Sequence, residues 1–252
     1  MLKSYPKSEI QNRLSQYFKD SNCKNLYKDS CINYVGVTKD TNENYSKVIV
    51  DYLVEHIEVF KKELNKIGIT RKTSYKIDSH TGMSDFDFNA RPKGERREEK
   101  IAHAMYCQYK EKAAAFGTIL DYQIPLKNTS KDSGVGKIDL ISSKTYKTNN
   151  EQLNKLYILE LKKDNSKETL LRCILEAYTY YNIVNREKLC MDFGLYADDT
   201  DFVISPLVFK SDKEFQKDLK DVLSLINALK IPVEIFAWEY ISGKYKIESM
   251  QQ

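Results

Sequence analysis

The chain has 252 residues, 41% of them hydrophobic and 30% charged, with a formal net charge of +4. This composition fits a soluble globular protein and excludes a low-complexity, disordered one. No run approaches the roughly 18 apolar residues that a membrane span needs, and Met1 to Arg13 lacks an apolar leader core, so a cytoplasmic protein with no membrane partner is expected.

In chain order, Ser8 to Lys19 predicts a short helix with Ile10, Leu14, Tyr17 and Phe18 on its apolar side. Tyr45 to Ile67 predicts a second helix, stopped by Gly68. Thr70 to Pro92 is polar, carries Asp85-Phe-Asp-Phe88, and reads as irregular. Gly94 to Phe116 predicts a helix that starts on Glu95, Glu98 and Glu99, acids that suit a helix N-terminus. The basic run Arg91 to Arg97 precedes it and could hold phosphates.

A strand is expected over Thr118 to Lys127, then a break over Asn128 to Gly136, then a strand over Lys137 to Ile141. A polar, hairpin-like connection leads to a strand over Lys155 to Lys162. Lys167 to Asn185 predicts a long helix, and Leu189 to Tyr196 and Phe202 to Phe209 predict strands. Asp212 to Leu229 is an amphipathic helix, and Val233 to Tyr240 and Lys244 to Ile247 close the chain as strands. Such an alternation predicts an α/β fold, a sheet flanked by helices. The odd, scattered set Cys23, Cys31, Cys107, Cys173 and Cys190 reads as reduced thiols, with Cys107 and Cys173 buried in helices.

Chemistry concentrates on the strand over Lys155 to Lys162. Side chains alternate faces in a strand, so Ile158, Glu160 and Lys162 share one face and Leu159 and Leu161 the other. Asp139 lies in Gly136-Lys-Ile-Asp139, with Ile138 and Leu140 expected on the face opposite to it. Paired strands would bring Asp139, Glu160 and Lys162 to one sheet edge. Two carboxylates are hard oxygen ligands for Mg²⁺, which keeps several of its waters, and the Leu161 carbonyl is a further oxygen donor. A lysine beside them can orient a water or offset developing negative charge. Acid-x-Lys alone is weak evidence, since it recurs at Glu98-Glu99-Lys100 and Asp218-Leu219-Lys220. The strand before Glu160, the preceding Asp139 and the acidic helix add weight.

Gly136-x-Ile-Asp139, then Ile158-Leu-Glu160-Leu-Lys162, then a long helix resembles the PD-(D/E)xK nuclease superfamily over about residues 94 to 185. That superfamily includes restriction endonucleases, phage exonucleases, RecB-like nuclease domains and defence effectors. The resemblance implies a restriction-endonuclease-like core of αβββαβ order, formed by residues 93–252, with residues 1–92 as a mainly helical N-terminal extension. It implies Mg²⁺-dependent cleavage of DNA, with Mn²⁺ as a substitute, in restriction, phage defence or DNA processing. Asp139 and Glu160 would then be catalytic metal ligands and Lys162 the catalytic lysine. Glu98 would be a further ligand from the first core helix, with Glu99 as its alternative. RecB-like members carry Gln-x-x-x-Tyr on the next helix; here the positions read Glu176-Ala-Tyr-Thr-Tyr180, accessory residues whose first member departs from the pattern. A homodimer stays open.

A non-catalytic DNA-binding or assembly module on the same fold is the alternative. Asp192-Phe-Gly194 stands without the other kinase motifs, and no P-loop or dinucleotide fingerprint is present, so no nucleotide cofactor is expected. His56, His80 and His103 lack the spacing of a zinc site.

Overall fold

The computed structural model describes residues 4–69, 71–81, 97–129, 132, 135–148 and 151–250. Its centre is one six-stranded sheet in sequential order: β1 (Thr118–Pro125), β2 (Lys137–Thr148), β3 (Glu151–Leu161), β4 (Thr200–Phe209), β5 (Phe236–Ile241) and β6 (Lys244–Ser249). The first three strands form an antiparallel meander. β3, β4 and β5 are parallel, and β6 returns antiparallel on β5. In β3 every residue from Leu156 to Leu161 is buried, as expected of a strand covered on both faces.

Eight helices accompany the sheet among the described residues: α1 (Lys7–Lys19), α2 (Tyr45–Glu55), α3 (Ile57–Asn65), α4 (Asp78–Thr81), α5 (Arg97–Tyr109), α6 (Leu170–Ile183), α7 (Arg186–Asp192) and α8 (Lys213–Leu229). The crossover helices α6 and α8 lie on one face, where Ile174, Leu175, Leu225 and Leu229 pack with Ile158 and Ile204. Ile10, Leu14, Val48 and Leu53 of the N-terminal helices join the same continuous cluster. The other face carries α5, whose Ile101, Ala102 and Met105 pack with Leu159, Leu161, Phe236 and Trp238. The protein is therefore of the α/β class, with a mixed sheet between helices. None of its described helices is long and apolar enough to cross a membrane.

Several sequence expectations are corrected. The helix expected over Tyr45 to Ile67 is two helices, because the backbone leaves the helical region at His56 (φ −107°, ψ 17°), whose ring nitrogen meets the Tyr52 carbonyl at 2.8 Å. The helix expected to reach Phe116 ends at Tyr109. Ala114 and Gly117 exchange backbone hydrogen bonds of 2.7 and 3.0 Å, turning the chain into β1. Gly117 has φ +87°, and a Cβ there would meet the Ser143 carbonyl oxygen at 2.1 Å, so a helix continuing through it is excluded.

Leu189 to Tyr196 is not a strand. Asn185 caps α7 by accepting from the Lys188 N–H at 2.8 Å, Lys188 pairs with Asp192 at 2.9 Å, and Gly194 (φ 71°) ends the segment. A short apolar run does not by itself distinguish strand from helix. The polar connection expected between β2 and β3 is mostly strand, with residues paired out to Thr148 and Glu151. Asp78–Thr81 is a helical turn inside the segment read as irregular. Cys173 is buried as expected, but Cys107 is partly exposed. Asp85 to Phe88 and residues 91–96 lie outside the described residues.

Candidate functional site

β2 and β3 pair as far as Leu140 opposite Leu159. Carrying that register one step further sets Asp139 opposite Glu160, at the point where the two strands part. The Asp139 carboxylate takes over there: Oδ2 accepts from the Leu161 N–H at 2.9 Å, and Oδ1 accepts from Gln123 Nε2 at 2.8 Å. The expectation that Ile138 and Leu140 share a face is corrected at this point. Ile138 packs in the α6-side cluster and Leu140 in the α5-side cluster. The partner position Gln123 has a left-handed backbone (φ 51°), which breaks the alternation opposite Asp139. A non-glycine residue in that region stores strain, here beside a polar cluster.

Leu156 and Ile158 face α6, so Glu160 and Lys162 point the same way. Lys162 is 3% exposed and Glu160 4% exposed, which explains why they need partners. Lys162 Nζ lies 2.7 Å from Glu160 Oε1, 2.7 Å from Glu168 Oε2 and 3.3 Å from Glu176 Oε2. The backbone around it is pinned as well. The Lys162 N–H donates to the Leu207 carbonyl at 2.9 Å, and Trp238 Nε1 donates to the Lys162 carbonyl at 2.9 Å. Glu160 Oε2 is buried and accepts no hydrogen bond.

Glu176 is one turn from Tyr180 on α6, and its Oε1 accepts from the Tyr180 hydroxyl at 2.8 Å. The Tyr180 hydroxyl is 3.3 Å from that of Tyr27. Glu98, in the first turn of α5, reaches the end of β3 and accepts from the Lys163 N–H at 3.1 Å. Its charge bears on Asp139, whereas that of Glu99 bears on Tyr122. Leu161 contributes a buried side chain to the α5-side cluster. Glu160, Lys162, Glu176 and Tyr180 thus form one contact network, while Asp139 is tied to the same strand end through the Leu161 N–H and Glu98 through the Lys163 N–H.

The electrostatics follow from burial. Burial pushes the Asp139 carboxyl up to about 7, against the pull of the Lys162 ammonium and the Leu161 N–H, and Glu176 and Glu98 push it further. Glu160 is raised well above the carboxylate range by burial and by Asp139 and Glu176, with Lys162 opposing. Burial disfavours the Lys162 charge, but Glu160, Glu176 and Glu168 outweigh it and hold the ammonium protonated. Burial also raises the Cys173 thiol, which donates to the Glu160 carbonyl at 3.3 Å, so it is an unreactive thiol.

Sequence reasoning missed Glu168, Arg172, Gln123 and Tyr27. Glu168 lies six residues beyond Lys162, before the capped start of α6 at Thr169, and only the return of the chain brings it back to the ammonium. Arg172 Nε pairs with Glu168 Oε1 at 3.0 Å. Gly136 has a role of its own. A Cβ there would lie 2.2 Å from the Tyr180 hydroxyl and 3.0 Å from ring carbon Cζ. Gly136→Ala is expected to cost about 1–3 kcal/mol through overpacking. Adding Tyr180→Phe is expected to recover part of that loss, because the Cζ contact remains. Equal urea midpoints for Gly136→Ala and the parent would overturn this reading.

The donor set suits a hard cation: the oxygens of Asp139 and Glu160, one of them buried without a partner, together with raised carboxyl pKa values. Among the described residues, no group of three or more His, Cys, Asp or Glu side chains is already disposed to hold a metal ion. His80 instead pairs with Asp121 at 2.6 Å, and His80 and His103 both stack on Tyr122. Compared with protein-family models, curated proteins and solved structures, the chain matches none. Fold and site together define an α/β protein with a buried carboxylate–lysine cluster where β2 and β3 part.

Proposed function

We propose that the chain is a Mg²⁺-dependent nuclease of the PD-(D/E)xK type that hydrolyses DNA phosphodiester bonds. One observation carries the reading: Asp139 and Glu160 end adjacent antiparallel strands, with Lys162 two residues on and buried against Glu160. The order α5-β1-β2-β3-α6-β4, with the short α7 inserted before β4, supports a restriction-endonuclease-like core. Asp139, Glu160 and the Leu161 carbonyl would hold the ion, with Glu98 on the α5 side. When bound there, the ion would supply Lewis-acid activation of a water and offset charge on the phosphate; Mn²⁺ shares that ligand preference.

The chain's own groups do the rest. Gln123 and the Leu161 N–H orient the Asp139 carboxylate. Glu176, held by Tyr180, keeps Lys162 protonated and positioned. Lys162 supplies a fixed positive charge to an oxygen of the reacting phosphate or to the attacking water. The Trp238 bond to the Lys162 carbonyl prevents that backbone from drifting.

The test uses supercoiled and linear DNA, with Mg²⁺ and with EDTA. Cleavage is expected with Mg²⁺ only, and Asp139→Ala and Lys162→Ala are expected to lose it. Activity that persists unchanged in both variants sinks the assignment. DNA binding without cleavage, and without metal affinity at the carboxylates, selects the non-catalytic binding module instead.

A further inference from the structure

Glu160, Glu168 and Glu176 contact Lys162, and Asp139 and Glu98 add two more carboxylates at the same strand end, against the cations Lys162 and Arg172. A polyanion approaching such a cluster is repelled unless positive charge stands nearby. A 3-10 turn of the N-terminal third and the loop after β1 supply it. The 3-10 turn Cys23–Lys28 packs on α6 and buries Tyr27 against Tyr180. Two cations lie over the Tyr27 ring, Lys28 Nζ at 5.2 Å and Arg172 Cζ at 5.9 Å from its centroid.

Lys24 lies on the same 3-10 turn as Lys28, and Lys127 follows Leu126, whose N–H donates to the carbonyl of Gly136, the residue packed against the Tyr180 hydroxyl. Burial is the largest cause of a lowered pKa at Lys28, and Lys24, Arg172 and Lys127 lower it further while Glu176 opposes them. Lys28 and Lys127 are exposed and Lys24 is partly so. The loop bearing Lys127 is held in place from the N-terminal side. Arg71 donates to the Lys127 carbonyl, and the Lys72 N–H donates to Asn128 Oδ1 at 2.8 Å. Lys24 and Lys28 on the turn, and Lys127 beside the Leu126–Gly136 contact, thus flank the Tyr27–Tyr180 pair, whose Tyr180 hydroxyl donates to Glu176 at the margin of the carboxylate cluster.

We propose that Lys24, Lys28 and Lys127 are the backbone grip of this site, holding DNA phosphates that flank the one being cut. This rests on the nuclease reading and gives the N-terminal third a function: its 3-10 turn completes the substrate surface. Positive charge outside the carboxylate cluster lets a duplex approach through its neighbouring phosphates while the reacting one meets the metal ligands.

The experiment uses the full chain carrying Asp139→Asn, without metal, and a fluorescein-labelled DNA duplex read by anisotropy. Salt is varied from about 50 to about 200 mM. Adding Lys28→Ala and Lys127→Ala together is expected to weaken binding about 10- to 100-fold and to reduce the slope of log K against log salt by about 2. Lys28→Arg with Lys127→Arg is expected to restore both. An unchanged affinity and slope in the double alanine variant, with the melting temperature also unchanged, overturns the grip. Cleavage in Mg²⁺ by chains that retain Asp139 separates the two ideas. If such chains cut DNA with the same KM with or without the two lysines, the grip falls and the nuclease reading stands. If the unsubstituted chain neither binds nor cuts DNA, both fall.

Discussion

Lys162→Met is expected to cost the metal-free protein about 3–5 kcal/mol at pH 8, the usual penalty for removing one partner of a buried ionic group. Methionine matches the length of the lysine stem, so little packing is lost. What is lost is the one ammonium that Glu160, Glu168 and Glu176 share within 3.3 Å. Of the carboxyls left behind, Glu168 and Glu176 keep only Arg172, Glu160 keeps no described cation, and the group relieves its repulsion by taking up protons. The penalty should therefore shrink as pH falls from 8 to 5, as the raised Glu160 and Asp139 carboxyls become protonated. Mg²⁺ should return part of the stability, by about 2.7 kcal/mol when present at a hundred times its Kd. Urea denaturation at both pH values checks this. A midpoint at pH 8 equal to that of the parent would show that the ammonium is not held as described. DNA cleavage should be lost in the same variant, since no other described cation contacts Glu160.

Asp139→Asn is expected to separate stability from activity. The Asp139 carboxyl has a pKa of about 7 in the folded protein, against about 3.9 in an unfolded chain. The folded state thus holds the proton more tightly. The group's stabilising contribution is complete below about pH 4 and is lost as pH rises through 7. At pH 8 the charged carboxylate is a net cost that a neutral amide of the same shape avoids. After allowance for the partial exposure of this side chain, the variant should be more stable by about 1–2 kcal/mol at pH 8, a melting temperature higher by about 2–8 °C. At pH 4 the two proteins should melt together. The amide oxygen still accepts from the Leu161 N–H, so the strand ends stay in place. Cleavage in Mg²⁺ should fall by about a thousandfold or more, equivalent to about 4 kcal/mol of transition-state stabilisation. A variant less stable than the parent at pH 8 would show that Asp139 supports the fold rather than being held at its expense. Stability sacrificed at a functional site is a common trade.

Much of the sheet was legible because burial imposes periodicity. β3 and β4 announce themselves as apolar runs between polar segments, and α6 and α8 show their apolar stripes. The nearness of Asp139 to Glu160 and Lys162 follows from strand register, which a pair of adjacent strands leaves little freedom to change. Errors fell where local signals are ambiguous. Leu189-Cys190-Met191 is apolar enough for a strand, yet a capping asparagine and an i,i+4 ion pair make it helical. The polar halves of β2 and β3 look like a loop, because their outward residues have no core to match.

By itself, the sequence determined which faces of its strands are apolar and which carry Glu160 and Lys162, since alternation along a strand needs no distant partner. Only the tertiary structure decided who meets them. Tyr27 and Tyr180 touch across 153 positions, and Glu98 reaches Lys163 across 65. Gly136 is required because a tyrosine on α6 fills the space beside it. Such contacts depend on how helices dock on a sheet, and the residues that make them carry no local periodicity to reveal it.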